Sequence, residues 1–281
     1  TYESIKNEIK REVGKRVRDI TGLRPEFQKP HIVFNIDFES GEVKASPTPL
    51  LIEGRYWKLG RNISQVKWIL RDGSLKYPLS VEEALQPIAK IMGGSLAVLH
   101  AAGREDVDAR MLGSGRPAIV EVKEPRKRNI DRDKIVRAVI ECSKGFVKFV
   151  PKGIADRERV EAIKEGSKVQ VKLYRALIVS NKKLNHYEVE KLKEKFKNIT
   201  ISQRTPIRVL HRRPDIVRVK SVYNVNVKLV SENVMEAIIE CEGGLYIKEL
   251  ISGDEGRTTP SFSEVLGANL KCVELDVLGV K

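Results

Sequence analysis

Leu96-Ala97-Val98-Leu99-His100-Ala101-Ala102-Gly103-Arg104-Glu105-Asp106-Val107-Asp108-Ala109-Arg110 is an apolar run that breaks into a charged, glycine-started turn. Residues 96–100 have the length and composition of a buried strand. Gly103 permits a tight turn and lets a substrate backbone approach closely. Asp106 is thereby presented just past the strand, where a carboxylate can act as nucleophile or general base. Arg104 and Arg110 would keep it ionised, since nearby cations favour the charged form. Read alone, the stretch also fits an ordinary charged loop. Asp106 and Asp108 could instead hold Mg²⁺, although no third acidic ligand stands at a telling spacing.

Outward from that turn, residues 117–122 read as another strand and Arg132–Cys142 as a helix ended by Gly145. Ser80 with Glu83 forms a capping box opening a helix to about Met92, with Pro87 predicting a kink or break inside it. Residues 2–20 space Ile5, Ile9, Val13, Val17 and Ile20 as a basic amphipathic helix. Residues 31–38 follow as a strand and residues 46–49 as a loop. Residues 169–180 favour a strand, 185–197 a charged helix, and 217–230 with 234–239 a hairpin across Ser231-Glu232-Asn233. Residues 270–278 give a last strand. Helices and strands mix irregularly, which predicts an α+β fold around a mostly antiparallel sheet. A soft boundary is expected near residue 60.

The chain has 281 residues, 41% of them hydrophobic, so a sizeable core can form. No apolar run reaches the roughly 20 residues of a membrane span, and no signal segment precedes the first helix. A soluble cytoplasmic protein is expected, and the start at Thr1 suggests a piece of a longer chain. Cys142, Cys241 and Cys272 form no CxxC pair and are expected as buried small side chains. His31, His100, His186 and His211 show no metal-site spacing, which disfavours a metal enzyme. The net charge of +14 attracts phosphate-bearing partners. It also suits the charged surfaces of heat-adapted proteins.

Two segments place that charge. Arg55, Lys58 and Arg61 interleave with Tyr56 and Trp57, a mixture suited to phosphates and stacked bases or equally to buried amphipathic aromatics. Residues 204–220 carry Arg204, Arg208, Arg212, Arg213, Arg218 and Lys220 against Asp215. Pro206 and Pro214 hinder a helix there, so a protruding basic loop is expected, its arginines on RNA phosphates.

Gly103-Arg104-Glu105-Asp106 resembles the Gly-Arg-x-Asp motif of pseudouridine synthases, which carries the catalytic carboxylate. Lys172-Leu173-Tyr174-Arg175-Ala176 is similar to their Lys-x-Tyr-x-Ala motif, whose tyrosine packs on the target base. Cys241-Glu242-Gly243-Gly244-Leu245-Tyr246-Ile247-Lys248 resembles the Cys-x-x-Gly-x-Tyr-Ile-Arg stretch of the branch acting on the tRNA T arm. That resemblance implies that Tyr246 touches the base and that Lys248 pairs with Asp106. Lys248 stands where the motif has Arg, keeping the charge and losing the bidentate fork. Leu275 is similar to a leucine of the final strand that lines the pocket. Gly54-Arg55-Tyr56, the block from Gln203 to Arg213 and the block from Ile251 to Thr258 extend the likeness to the archaeal–eukaryotic tRNA pseudouridine synthase family.

The resemblance implies a pseudouridine synthase fold in residues 61–281, with residues 1–60 the remnant of an RNA-binding accessory module lacking its zinc cysteines. It implies an isomerase that converts uridine 55, and in some members uridine 54, of tRNA to pseudouridine, with no cofactor. The basic block becomes a thumb-like loop gripping RNA, with Arg104 an additional contact. Two other classes stay open: a non-catalytic RNA-binding module, and a Mg²⁺-dependent nuclease.

Overall fold

Alternating buried and exposed positions along β-branched runs build most of the structure, a computed structural model that describes residues 4–166 and 170–280. Helix α1 (Ile5–Thr21) starts on a Ser4 cap and ends at Gly22, whose φ of 70° a glycine adopts without strain. None of its side chains is buried. Tyr2 and Glu3 of the predicted helix, and Val169 of the predicted strand, lie outside the described residues. Strands β1 (Ile32–Ile36) and β2 (Val43–Pro47) make a separate two-stranded hairpin, so part of the expected loop at 46–49 is strand.

The main sheet starts with β3 (Leu50–Lys58). Helices α2 (Val81–Ala84) and α3 (Gln86–Ile91) meet at Leu85, the break that Pro87 predicts. Then come β4 (Leu96–Ala101), β5 (Arg110–Lys123), α4 (Arg132–Cys142), β6 (Val147–Ala155), α5 (Arg157–Gly166) and β7 (Val171–Ser180). Helix α6 (His186–Lys195) carries a capping box between Asn185 and Glu188. Strands β8 (Ile199–Arg204), β9 (Val217–Ser231) and β10 (Val234–Glu242) precede α7 (Ile247–Ser252). The two-residue β11 (Thr258–Thr259), α8 (Phe262–Leu266) and β12 (Leu270–Val280) complete the order.

Ten strands run β11-β8-β9-β10-β7-β12-β5-β3-β6, with β4 paired to the other side of β5. Each pairing is antiparallel except β12 with β5, which join in parallel at Asp276↔Arg110 and Val277↔Met111. The chain thus adopts the expected α+β architecture around a mostly antiparallel sheet. Two cores flank that parallel seam. One gathers α6, α7 and α8 on β7 to β10, and the other gathers α2, α3 and α4 on β3, β5 and β6. Tyr174 packs against both.

Strand β3, which precedes the soft boundary expected near residue 60, sits inside the sheet between β5 and β6. Its backbone is hydrogen-bonded on both edges, to β5 and to β6. Among the described residues no helix is long and apolar enough to cross a membrane.

Candidate active site

Strand β4 delivers the chain to a loop, residues 102–109, whose backbone is fastened from below. Lys58, 1% exposed, donates its ammonium protons to the carbonyls of Ile63, Asp106 and Val107 at 2.8, 3.0 and 3.0 Å. Arg116 donates to the Ala102 carbonyl at 2.7 Å, and Gln65 to that of Gly103 at 3.0 Å. Arg61 holds the Asp108 carbonyl at 2.9 Å. Glu105 turns down into this framework. It accepts from Arg116 at 2.9 Å and from the Tyr56 hydroxyl at 3.0 Å, with Lys58 3.8 Å away. Burial alone would raise the Glu105 pKa, but the charges of Arg116 and Lys58 hold it below its ordinary value. Burial brings the Lys58 ammonium down to about 8.

Asp106, the next residue, points the other way, its side chain 34% exposed. It lines a cavity of about 410 Å³ together with Tyr174, Leu275, Lys172, Tyr246 and Arg208. That volume suits a small ligand or an extruded nucleoside. Arg208 reaches Asp106 at 3.0 Å (Nη2 to Oδ2) and 3.4 Å (Nη1 to Oδ1), while its Nε holds Glu249 at 2.6 Å. Burial works against the Arg208 charge, yet Glu249 and Asp106 more than compensate and hold its proton tightly. Burial also pushes the Tyr174 hydroxyl pKa well above its usual range, so this ring stays neutral.

Three of the residues expected at the site therefore converge: Asp106 from the loop, Tyr174 from β7 and Leu275 from β12. Tyr246 borders the same cavity. Its hydroxyl accepts from Arg213 at 3.2 Å, and its ring lies below Arg208 and Arg218 at 5.8 and 5.9 Å. Gln203 clamps the Tyr246 backbone from both sides, accepting from its N–H at 2.8 Å and donating to its carbonyl at 3.0 Å. Arg104, Arg212 and Arg213 also line the cavity. Arg104 is exposed there, and Arg212 sits 5.3 Å over the Trp68 ring.

Lys248 does pair with Asp106, though not as its nearest partner. Lys248 stands on the first turn of α7, but its closest partner is Asp108 at 2.6 Å; Asp106 lies 3.6 Å away. The carboxylate of Asp106 is held more closely by Arg208, which the sequence assigns to a protruding loop. The turn of 3₁₀ helix Ile207–Arg212 folds back over the cavity instead, because Asp254 accepts from the Ile207 N–H at 3.0 Å and Glu249 draws Arg208 inward. Arg204 is outward, paired with Asp215 at 2.8 Å.

In the interleaved segment the cations are engaged by the protein itself. Lys58 is buried, Arg55 is spent on the carbonyls of Ser114 and Gly115, and Arg61 is spent on Leu275, Asp108 and Asp276. Of the three cysteines expected to be buried, Cys241 is, Cys272 is partly buried and Cys142 is exposed.

Sequence reasoning missed Glu105, Arg116, Tyr56 and Glu249. Glu105 was visible within the motif, but nothing marked it as the buried member of an acidic pair.

Comparison with known proteins identifies the family. A family model described as Pus10, C-terminal, matches residues 51–281, and one described as Pus10 THUMP domain, archaeal, matches residues 1–37. The tRNA pseudouridine synthase Pus10 of Ignisphaera aggregans is 46% identical over 279 residues, covering 99% of this chain and 65% of that protein. Its namesake in Aeropyrum pernix is 48% identical over 280 residues, covering 99% and 64%. The chain thus spans just under two thirds of the length of these two relatives. Among solved structures, a Cbf5-Nop10-Gar1 complex is 15% identical with a TM-score of 0.43, over 81% of this chain and 58% of that one. On the family models and these identities, the chain belongs to the Pus10 family.

Proposed function

We propose that the chain carries the catalytic part of a tRNA pseudouridine synthase, an isomerase that converts uridine 55 of the T arm, and uridine 54 as a second target, to pseudouridine. What supports this reading above all is the meeting of Asp106, Tyr174 and Leu275 in one nucleoside-sized cavity of a chain in this family. Residues 50–281 are the proposed catalytic domain, and the segment before them the end of an RNA-binding module.

In this reading the target uridine leaves its stack at a cost of a few kcal/mol and lies against Tyr174, with Tyr246 and Leu275 completing the walls. Asp106 promotes cleavage of the bond between N1 and the ribose. The freed uracil turns and rejoins the same carbon through C5, losing its C5 proton as N1 gains one. Atoms balance within the substrate, so no redox or group-carrying cofactor is required. Arg208 fixes the Asp106 carboxylate in place, the role that the resemblance gives to Lys248. Arg104, Arg212 and Arg213 at the rim attract the phosphates on either side.

The test is incubation of the chain with unmodified tRNA, mapping pseudouridine at nucleotide resolution, beside the Asp106→Asn variant. The wild type should modify the T arm and be indifferent to EDTA. The variant should bind tRNA and form no pseudouridine. Turnover by Asp106→Asn would remove that carboxylate from the chemistry.

A further inference from the structure

Lys172 shares one face of β7 with Tyr174 and Ala176, and lies opposite Cys241 of β10 and Val280 of β12. It lines the cavity and is only 7% exposed. The other cations around the cavity are occupied or wet: Arg208 holds Asp106 and Glu249, Arg213 holds the Tyr246 hydroxyl, Arg212 lies over Trp68, and Arg104 is exposed. Lys172 forms no hydrogen bond or ion pair among the described residues. Glu105, the acid beside it in the lining, is already claimed by Arg116, Tyr56 and Lys58. A buried ammonium without a partner is costly, and a guest rich in acceptor oxygens would relieve that cost.

The proposed reaction supplies one. When the N1–ribose bond breaks, its electron pair leaves with the base, whether Asp106 takes the ribose carbon or a ribose proton. Uracil is then an anion, its charge shared with O2 and O4. We propose that Lys172 is a further catalytic residue, its ammonium donating a hydrogen bond to a carbonyl oxygen of the departing uracil and stabilising the negative charge that develops there. The lysine keeps its proton throughout. The inference rests on the pseudouridine synthase reading and names the group that stabilises its leaving base. A preorganised donor aimed at developing charge in a water-poor site is worth about 100- to 1,000-fold in rate.

Burial, then the charge of Arg116, brings the Lys172 pKa down to about 8; Lys220 of β9 adds to that, while Cys241 and Glu105 oppose it. The protonated form is the working one, so kcat/KM should fall as pH rises past about 8.

The experiment compares wild type, Lys172→Met and Lys172→Arg in single-turnover conversion of unmodified tRNA, with tRNA affinity measured in parallel. Lys172→Met should slow conversion about 100-fold or more with affinity nearly unchanged. Lys172→Arg should recover part of the rate and lose the limb near pH 8, because a guanidinium stays charged. On tRNA carrying 5-fluorouridine the fluorine stabilises the leaving anion, so the Lys172→Met deficit in base rearrangement should shrink. A deficit confined to affinity, or equal on both substrates, overturns the proposal. If Lys172→Met does not fold, Lys172→Gln takes its place in the same comparison of the two substrates, and an undiminished rate overturns the role. A wild type that forms no pseudouridine sinks the functional reading itself, whereas an active wild type matched by Lys172→Met sinks only this inference.

Discussion

Glu105 and Asp106 are consecutive acids on one loop, yet they live in opposite regimes. Glu105, with a side chain 1% exposed, is locked between Arg116 and Lys58, themselves 1% exposed. Asp106, 34% exposed, is held by Arg208, 37% exposed, at the cavity wall. The floor is a buried ion network whose charges cannot exchange water for a missing partner. The rim is a half-solvated one whose partners can be rearranged by a guest. A carboxylate meant to react needs the second setting, but its loop needs the first to stay still.

The sharpest way to break this contrast is at the floor. Arg116→Met removes the closest charge partner of Glu105 and the donor to the Ala102 carbonyl. Leaving a buried charge uncompensated costs about 3–5 kcal/mol. Urea unfolding of the variant should register that loss, and a change below about 1 kcal/mol would mean that the network is not structural. At the rim, Arg208→Lys keeps a charge between Asp106 and Glu249 but loses the fork that engages both. Misplacing a reacting group by about 1 Å costs on the order of 100-fold. Turnover should fall by about 10- to 100-fold with little change in unfolding midpoint. Undiminished turnover would return the positioning of Asp106 to other groups.

The same contrast explains what could be read from sequence. Helix Arg132–Cys142 and the β9–β10 hairpin were legible because their apolar periods and turn residues act locally. Asp106 and Tyr174 were legible through short motifs. The segment 55–61 left two readings open, contact with RNA or buried amphipathic side chains, because composition hides orientation. On a strand Tyr56 and Lys58 share the buried face and Arg55 and Trp57 the other, so each face takes one aromatic and one cation. The partnership of Arg208 with Asp106, 102 residues apart, was not legible at all. Pro206 and Pro214 foretold an irregular segment, but its direction is set by Glu249 and Asp254 on and just beyond α7.

Further out, the charges should act on RNA rather than on stability. Neutralising Arg212 and Arg213 to Gln should flatten the dependence of tRNA affinity on salt, by about one unit of logarithmic slope for each phosphate left without its arginine. Both side chains have neutral aromatic partners, Trp68 and Tyr246, so no buried charge is stranded by the change. An unchanged slope would confine these arginines to packing against those rings.

The smallest effect belongs to Lys248. Its ammonium sits 2.6 Å from Asp108, a side chain 57% exposed, and 3.6 Å from Asp106, which Arg208 already holds at 3.0 Å. Asp108 is the exposed partner and water can replace the ammonium beside it, so the pair contributes about 0–1 kcal/mol. Lys248→Ala should therefore leave unfolding nearly unmoved and slow turnover only a few-fold, well short of the Arg208→Lys deficit. Coulomb attraction falls with distance, so the nearer guanidinium, forked onto both oxygens of Asp106, should dominate the field there. If Lys248→Ala were the more damaging variant, the approach at 3.6 Å would have to tighten when RNA binds. The rim would then be rebuilt by substrate, and the closed form would bring back the pairing that the motif implies.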